Sequence, residues 1–515
     1  MQRHTTIVAD ISAKVRASYD KKTPFRISHG STNSTRHSLA KRPNVIDTGP
    51  LCNVLSIDKA RRTALVEPNV PMDKLVAATL PYGLVPPVVM EFPGITAGGG
   101  YAGTAGESSS FKHGFFDRTI NYVEMVLGNG DIVKASPTER VDLFDGAAGA
   151  LGTLGVTTLL ELQLQEAKPF VSTTYHPVTS VQSALSNLQS MTEDSSIDFL
   201  DAIMFSPTHG AIITGSLSTT ADSPKVSFSR PWDPWFYLHV QQHTQPASTS
   251  QSSSQLVNFS VPLPSYLFRY DRGGFWVGAS AFKYMFFPFT RLTRWFLDDF
   301  LHTRMLYRAL HASAQSQRYI IQDLAMPYSS AESFIDWTGK ELGVWPLWLC
   351  PLKQGVRSGT FHPHTEAKGH GEEEEQLINV GVWGFGPLNR EEFVRQNRAL
   401  EKKLKEGRGM KWFYAQAYYS EEEFWTMYNK PWYETLRTKY HATHLPSVWD
   451  KIRVDVAGET KEAQTSWKMW ALRIWPLAGV WGIIRAMQSG DWRIPKRLKL
   501  DDIKPVEDGK MVKKD

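Results

Sequence analysis

The chain reads as a two-domain α+β protein, and three observations carry that reading. Its 515 residues exceed what one hydrophobic core supports, so two or three domains are expected. Residues from about 23 to 170 alternate short strand patterns with turns. From Lys168 the composition shifts, and buried-strand and aromatic helical patterns follow. The boundaries expected are 1–170, 171–455 and a Trp-rich, basic tail at 456–515.

The elements follow in chain order. Met1 to Tyr19 carries Arg3, Asp10, Lys14 and Arg16 among its apolar residues, so it reads as neither signal peptide nor membrane span. Val45–Asp47, Val54–Ile57 and Thr63–Glu67 read as strands. Pro71 opens a helix through Leu80, where its missing N–H costs nothing. Tyr122–Leu127 and Ile132–Lys134, joined at Asn129-Gly130, form a hairpin signal. A small-residue run from Gly146 to Val156 leads into a strand over Thr157–Leu164.

Phe199–Leu217 alternates as strand material, and Ala247–Gln255 is Ser/Gln-rich, the pattern of a mobile loop. Phe282–Leu310 reads as helical, aromatic and basic. Trp345–Leu352 and Gln376–Trp383 read as buried strands around an acidic insertion, Glu372–Glu375. Arg390–Glu406 is an amphipathic helix, and Trp467–Met487 is an apolar tail segment with a basic flank.

Composition narrows the class. Charged residues at 21% and apolar residues at 42% describe an ordinary globular protein. Cys52 and Cys350 are too few for a disulfide framework or a cysteine metal site, so no metal and a reducing compartment are expected. The net charge of +5 is mild, and no nucleic-acid-binding signature is present. The 17 Trp and 26 Phe fall mostly after residue 230, which suits a large apolar site or a membrane contact.

The segment from Pro93 to Ser110 is dense in glycine and hydroxyls, and it lets backbone N–H groups close on an anion. The expected guest is a dinucleotide pyrophosphate. Gly98, Gly100 and Gly103 satisfy G-x-G-x-x-G, but that fingerprint needs a preceding buried strand and a following helix. Here prolines bound Pro86–Pro93, and Ser108–Gly114 reads as more loop than helix, so a Rossmann fold is rejected.

These landmarks resemble the flavin-binding domain of the vanillyl-alcohol oxidase (PCMH) type. Within it, Gly103–Gly114, Leu143-Phe144, Gly152–Gly155, Phe199–Ala202, Ile321–Leu324, Trp345–Pro351, Tyr414-Ala415 and Glu422–Trp425 are similar to the delta(24)-sterol reductase family. The resemblance runs from about residue 23 to 455. It departs in two places: the family's N-terminal membrane segment is lacking, and the Trp-rich tail is added.

The resemblance implies FAD held by three loops. The first offers His29, Gly30, Ser31, Thr32, Asn33 and Ser34. The second offers Thr96, Ala97, Gly98, Gly99, Gly100, Gly103, Thr104, Gly106, Glu107, Ser108 and Ser109. The third offers Gly152, Thr153, Gly155 and Val156. Ser31 stands where relatives carry a tethering histidine, so FAD is expected to be noncovalent. Glu107, Lys112 and His113 are ligand contacts or surface charges, and the sequence leaves both readings open.

The resemblance further implies reduction of the C24–C25 double bond of a sterol or sterol-like terpenoid, with NADPH as co-substrate. Candidate proton donors are Tyr414, Tyr418, Asp323 and Glu423. Tyr414 and Tyr418 share a face in either a helix or a strand, and Asp323 lies in an apolar run. Core packing and a structural ion pair are the rival roles for these residues. The tail suits an interfacial helix better than a span, since Arg473 and Arg485 each cost ~2.5–3.5 kcal/mol inside a bilayer. Phe282–Phe300 either reinforces that contact or is core. The expected location is the cytosolic side of the endoplasmic reticulum membrane, as a peripheral protein, with a cytoplasmic protein as the alternative. Two other functions stay open: an FAD-linked oxidase of a secondary metabolite, and a membrane-docked scaffold keeping a vestigial flavin fold.

Overall fold

The computed structural model describes residues 1–30, 34, 44–245, 256–354, 360–364, 375–456, 458, 475–498 and 500–503. Ser31, Thr32, Asn33, the Ser/Gln-rich stretch 247–255, Glu372–Glu374 and tail residues 459–474 lie outside the described residues.

The N-terminus is a helix, α1 (Gln2–Asp20), for which the sequence reading had no element. His4, Val8, Ile11, Val15 and Ser18 recur at helical spacing and are buried on one stripe. The helix is pinned to the following sheet: His4 Nδ1 meets Glu67 Oε1 at 2.9 Å, and Ser12 Oγ donates to Gly130 O at 2.6 Å.

The first sheet has five antiparallel strands: β1 (Val54–Asp58), β2 (Thr63–Val66), β3 (Ile120–Leu127), β4 (Ile132–Ala135) and β5 (Gly155–Gln163), in the order β1-β2-β5-β3-β4. The β3–β4 hairpin forms where expected. Its turn needs glycine: Gly130 has φ +89°, and a Cβ there would lie 2.9 Å from Ser12 O. Helix α2 (Met72–Thr79) begins just after Pro71.

The glycine segment is not an open loop. Ala97–Ala102 forms α3 and Ser110–His113 forms α4. Glycine disfavours helix, but packing overrides propensity here. Thr96 Oγ1 caps α3, accepting from Gly99 N at 3.1 Å. A Cβ at Gly98 would sit 2.6 Å from Pro68 Cβ, and one at Gly100 2.5 Å from Met90 Cε. These glycines allow close approach of the helix to its neighbours.

The second sheet has eight antiparallel strands: β6 (Phe170–Val178), β7 (Phe199–Ser206), β8 (His209–Ser218), β9 (Val257–Pro262), β10 (Tyr319–Pro327), β11 (Leu347–Leu352), β12 (Leu377–Phe385) and β13 (Met410–Lys411). Their order is β9-β6-β8-β7-β11-β12-β10-β13. Between β9 and β10 the continuous helix expected over 282–310 is broken into α5 (Val277–Met285), α6 (Arg291–Phe296) and α7 (Thr303–Ala312). Phe286 ends α5 in the left-handed region at φ +55°, and Pro288 has no N–H to continue it. Later come α8 (Arg390–Glu406) and, in the tail, α9 (Leu477–Ser489).

Period-two alternation splits the second sheet's chemistry between its faces. Leu200, Ala202, Leu349, Val380, Val382 and Leu324 form an aliphatic face under helices that include Val181–Met191 and α8. The same strands turn Asp201, Trp348, Asn379, Trp383 and Asp323 to the other side. That face meets the glycine segment.

Candidate active site

Hydrogen bonds to its carbonyls fasten the glycine segment to the second sheet and the residues just beyond its strands. Trp412 Nε1 donates to Thr104 O at 2.8 Å, Leu200 N to Ser108 O at 2.7 Å, and Lys353 N to Ser110 O at 3.0 Å. Glu107 is no surface charge, being 2% exposed. Its carboxylate accepts from Ser108 Oγ at 2.7 Å, Ser109 N at 2.9 Å and Ser109 Oγ. Lys112, by contrast, pairs with Asp198 at 2.8 Å.

Asp201 is the hub of the buried polar layer. Its Oδ2 accepts from Arg269 Nη2 at 3.0 Å, Tyr270 Oη at 2.7 Å and Trp348 Nε1 at 2.9 Å. Arg269 Nη2 also donates to Ser108 Oγ at 3.1 Å, so a chain of bonds runs from Asp201 to Glu107. Burial works against the guanidinium, but Asp201 first, then Tyr266, Tyr270 and Glu91, together offset it and lift the Arg269 pKa above its ordinary value. None of Asp201, Arg269, Tyr270 or Trp348 was among the predicted site residues. Their pairing joins three separate stretches of chain, which spacing alone does not reveal.

The structure brings two of the predicted catalytic residues together. Tyr414 Oη donates to Asp323 Oδ2 at 2.7 Å, and Asn379 Nδ2 donates to Asp323 Oδ1 at 3.0 Å. Gly381 lies opposite Asp323 in the β10–β12 ladder, and a Cβ there would stand 2.9 Å from Asp323 Oδ1. Burial raises the Asp323 pKa, with the Asn379 and Tyr414 hydrogen bonds opposing. Burial, then the nearby Asp323 charge, holds the Tyr414 phenol well above its usual range. Both shifts run towards the neutral form.

Tyr418 and Glu423 are placed elsewhere. The Tyr418 hydroxyl donates to Gln416 Oε1 at 2.7 Å, and its ring packs in the aliphatic-face cluster with Phe393. Residues 412–420 follow neither helix nor strand, so the shared face expected for Tyr414 and Tyr418 does not form. Glu423 caps its own helix and pairs with Arg398 at 3.1 Å.

Glu91 is the residue that sequence reasoning missed most completely. It is 7% exposed, and its Oε1 has no hydrogen-bond partner among the described residues. Burial, reinforced by the Glu107 charge, pushes its pKa well up. It senses the charges of Glu107, Arg269 and Asp201, and Tyr414 in turn senses Glu91. Its backbone is pinned on both sides: Ser109 Oγ donates to Pro87 O at 2.7 Å and Arg304 Nη2 to Pro93 O at 3.0 Å. Beside it Phe92 packs edge-on to Trp383, Phe275 and Tyr307, with centroids 5.5–6.1 Å away. The signal in sequence was an acid inside the apolar run Val88–Phe92.

The surroundings of these residues fit a flavin dinucleotide, with one correction. The N–H groups of Gly98, Gly99, Gly100 and Gly103 are all spent inside the chain, on Pro68 O, Thr96 Oγ1, Thr96 O and Gly99 O. They do not form an anion cradle, because the segment closes into α3. What remains is a strip of half-buried small residues, a trough only in the shortness of its side chains: Ala102, Gly103, Ala105, Gly106 and Gly152. Lys451 Nζ donates to Leu151 O at 2.7 Å and supplies a cation at the Gly152 turn.

The other loop candidates divide between trough and core. Ser34 Oγ donates to Tyr414 O at 2.7 Å, tying the first loop to the Asp323 pair. Arg308 Nη2 reaches Gly30 O at 3.3 Å, and His29 stands half-buried beside it. Ala97, Thr153 and Val156 are fully buried, and the Thr153 hydroxyl is engaged by Ala150 O and Tyr433 Oη. Gly155 is also buried, against Val126 O. These four support the trough from behind.

Comparison with known proteins supports the cofactor class. A sequence model of the FAD binding domain matches residues 5–136. The delta(24)-sterol reductase of Arabidopsis thaliana is 31% identical over 428 residues, covering 77% of this chain and 74% of the relative. That of Homo sapiens is 28% identical over 406 residues, covering 78% and 76%. A delta(24)-sterol reductase homolog of Caenorhabditis elegans is 26% identical over 446 residues, covering 82% and 81%.

Proposed function

This chain belongs to the delta(24)-sterol reductase family, and from that premise we propose that it reduces the C24–C25 double bond of a sterol or sterol-like terpenoid. NADPH is the electron donor in this reading, and FAD is held noncovalently. The FAD-dependent oxidoreductase class rests on the family and its flavin domain. The observation that carries the finer reading is the Asp323–Tyr414 pair on the sheet face that meets the flavin loops.

An isolated trisubstituted alkene is a poor hydride acceptor. Protonation at C24, the less substituted carbon, leaves a tertiary cation at C25. The chain must therefore offer a proton in a dry, apolar site. Tyr414 holds that proton on its Oη, kept neutral by burial. Its donation to C24 would leave a phenolate 2.7 Å from Asp323 Oδ2, and a carboxyl whose pKa burial raises could take up a proton there and return it to the phenolate. Phe92, Phe275, Trp383 and Tyr307 exclude water around the alkene. When bound and reduced with NADPH, FAD would supply the hydride for C25.

The trough of Gly103, Gly106 and Gly152 and the Lys451 ammonium would hold the cofactor, with the buried Glu107 next to Gly106 in the chain and Glu91 within reach of its charge. A sterol substrate supports a peripheral position on the cytosolic side of the endoplasmic reticulum membrane.

The test is an anaerobic stopped-flow spectrum of FAD-loaded protein. NADPH should bleach the oxidised flavin band, and a side-chain-unsaturated sterol should restore it. A flavin left oxidised by NADPH but cycled by air and an alcohol or amine would make the chain an oxidase and end the sterol reading.

A further inference from the structure

Helix α9 is built inside out. Its buried residues are the small ones, Ala478, Gly482 and Ala486, spaced four apart. A Cβ at Gly482 would lie 2.8 Å from Ala309 O, so the helix backbone rests directly on α7. Its large apolar residues, Leu477, Val480, Trp481, Ile484 and Met487, are 40–52% exposed. A helix that docks on its own protein buries the bulky stripe instead.

A second segment extends the same surface. Trp475 packs edge-on to Phe286 with centroids 5.2 Å apart, and its Nε1 donates to Tyr284 O at 2.8 Å. Phe286, Leu292 and Phe296 are 77%, 69% and 75% exposed. An apolar surface this extensive on a monomer marks an interaction site.

We infer that 286–296 and 475–487 together form a bilayer-docking face that seats the chain in one leaflet, and that a lipid substrate enters through it. Charge selects this occupant. Lys283, Arg291, Arg294, Arg493 and Arg497 flank the face, and none has a carboxylate partner among the described residues. The acids of these segments are already paired: Asp298 with Arg272, Asp299 with Lys496, and Asp491 with Arg308. Two copies meeting on this face would set cation against cation, whereas anionic headgroups complement it. Among the described residues no helix is long and apolar enough to cross a membrane, so the contact is one of depth within a leaflet.

The entry route rests on the sterol reading. A file of rings leads from the face to the site: Phe289 to Trp235 at 5.6 Å, Trp235 to Tyr237 at 6.3 Å, Tyr237 to Trp276 at 6.2 Å, Trp276 to Phe275 at 5.6 Å, and Phe275 to Trp383 at 5.2 Å. Beyond Phe289 the rings are packed and buried, so an apolar ligand would have to part them, and it would then stay out of water along the file.

The test uses full-length, FAD-loaded protein with vesicles of phosphatidylcholine, alone or mixed with phosphatidylserine. Co-sedimentation should show binding that strengthens with phosphatidylserine by roughly fivefold per engaged cation and weakens with salt. The double variants Trp481→Asp/Ile484→Asp and Phe286→Asp/Leu292→Asp should each lose at least about tenfold in binding while keeping the flavin spectrum. Wild-type protein left in the supernatant of both vesicles would overturn the docking face. So would variants that bind like wild type, or a wild-type dimer in sedimentation velocity that these variants dissolve.

For the route, the variants should lose turnover of vesicle-embedded sterol and keep turnover of the cyclodextrin complex. Equal turnover of both presentations by the variants would refute lateral entry. Vesicle binding with no sterol reduction by wild type in either presentation would refute the sterol reading and leave the docking face standing.

Discussion

Replacing Tyr414 by Phe removes one oxygen atom from the candidate site and little else. The hydroxyl donates to Asp323 Oδ2 at 2.7 Å, and Asp323 keeps its bond from Asn379 at 3.0 Å when that oxygen is gone. The stability cost is therefore that of one hydrogen bond to a half-satisfied carboxyl, ~1–2 kcal/mol. The kinetic cost is larger. A positioned general acid contributes ~10²–10⁴-fold, or ~2.7–5.5 kcal/mol of barrier. The two effects separate in a stopped-flow experiment. Bleaching of the flavin by NADPH should proceed at the wild-type rate, and reoxidation by an unsaturated sterol should slow at least about 100-fold. Tyr418→Phe is the matched control, because its hydroxyl serves Gln416. If sterol reoxidation of Tyr414→Phe stayed within threefold of wild type, the pair would be core packing and the assignment of the proton donor would fall.

Other perturbations have equally definite outcomes. Arg269→Met leaves Asp201 charged and buried without its cation, so thermal melts should show a loss of about 3–5 kcal/mol; a change under 1 kcal/mol would mean the pair is not the hub it looks. Glu91→Gln should leave Tm unchanged or raise it, because burial already disfavours the charged carboxylate; a loss above about 2 kcal/mol would show a charged, paired Glu91. Gly100→Ala drives a Cβ to 2.5 Å from Met90 Cε and 2.8 Å from Phe116 Cδ1, and should cost ~1–3 kcal/mol together with flavin retention on gel filtration.

His302 sits against Asp271 at 2.5 Å and Asp298 at 3.5 Å. Burial alone would lower its pKa, but the two acids raise it to about 10. Its contribution to stability is thus complete below the ordinary value near 6.5 and is lost as pH rises towards about 10, by at most ~1.4 kcal/mol per unit. Melts across that window should show the slope in wild type and not in His302→Gln.

Local signals carried much of the fold. The β3–β4 hairpin was legible because Asn129-Gly130 states its turn chemistry within two residues, and α8 because its stripe repeats over 17 residues. Two errors have local causes that were also visible. Pro288 announced the break in the 282–310 helix, and His4, Val8, Ile11 and Val15 announced α1. Others were not available from spacing. Gly98 and Gly100 enter a helix because Pro68, Met90 and Phe116 press on them, which is tertiary information. Asp323 and Tyr414 are 91 residues apart, and only the docking of β13 on β10 brings them together. Glu91 and Asp201 each read as an acid in an apolar run, and the partners that give them meaning lie on other elements.

The fastening of the glycine segment to the second sheet bears on how this chain can be taken apart. A cut near residue 170 looks natural by composition, yet it would strip Thr104 O, Ser108 O and Ser110 O of Trp412, Leu200 and Lys353. It would also leave Glu91 and Glu107 facing water without Arg269 nearby. Neither half is therefore a module to be expressed alone or exchanged between relatives. If FAD loads at the trough as proposed, the effect should be felt as rigidity in β7 and β11, so protease resistance of the second half would report on the flavin state of the first.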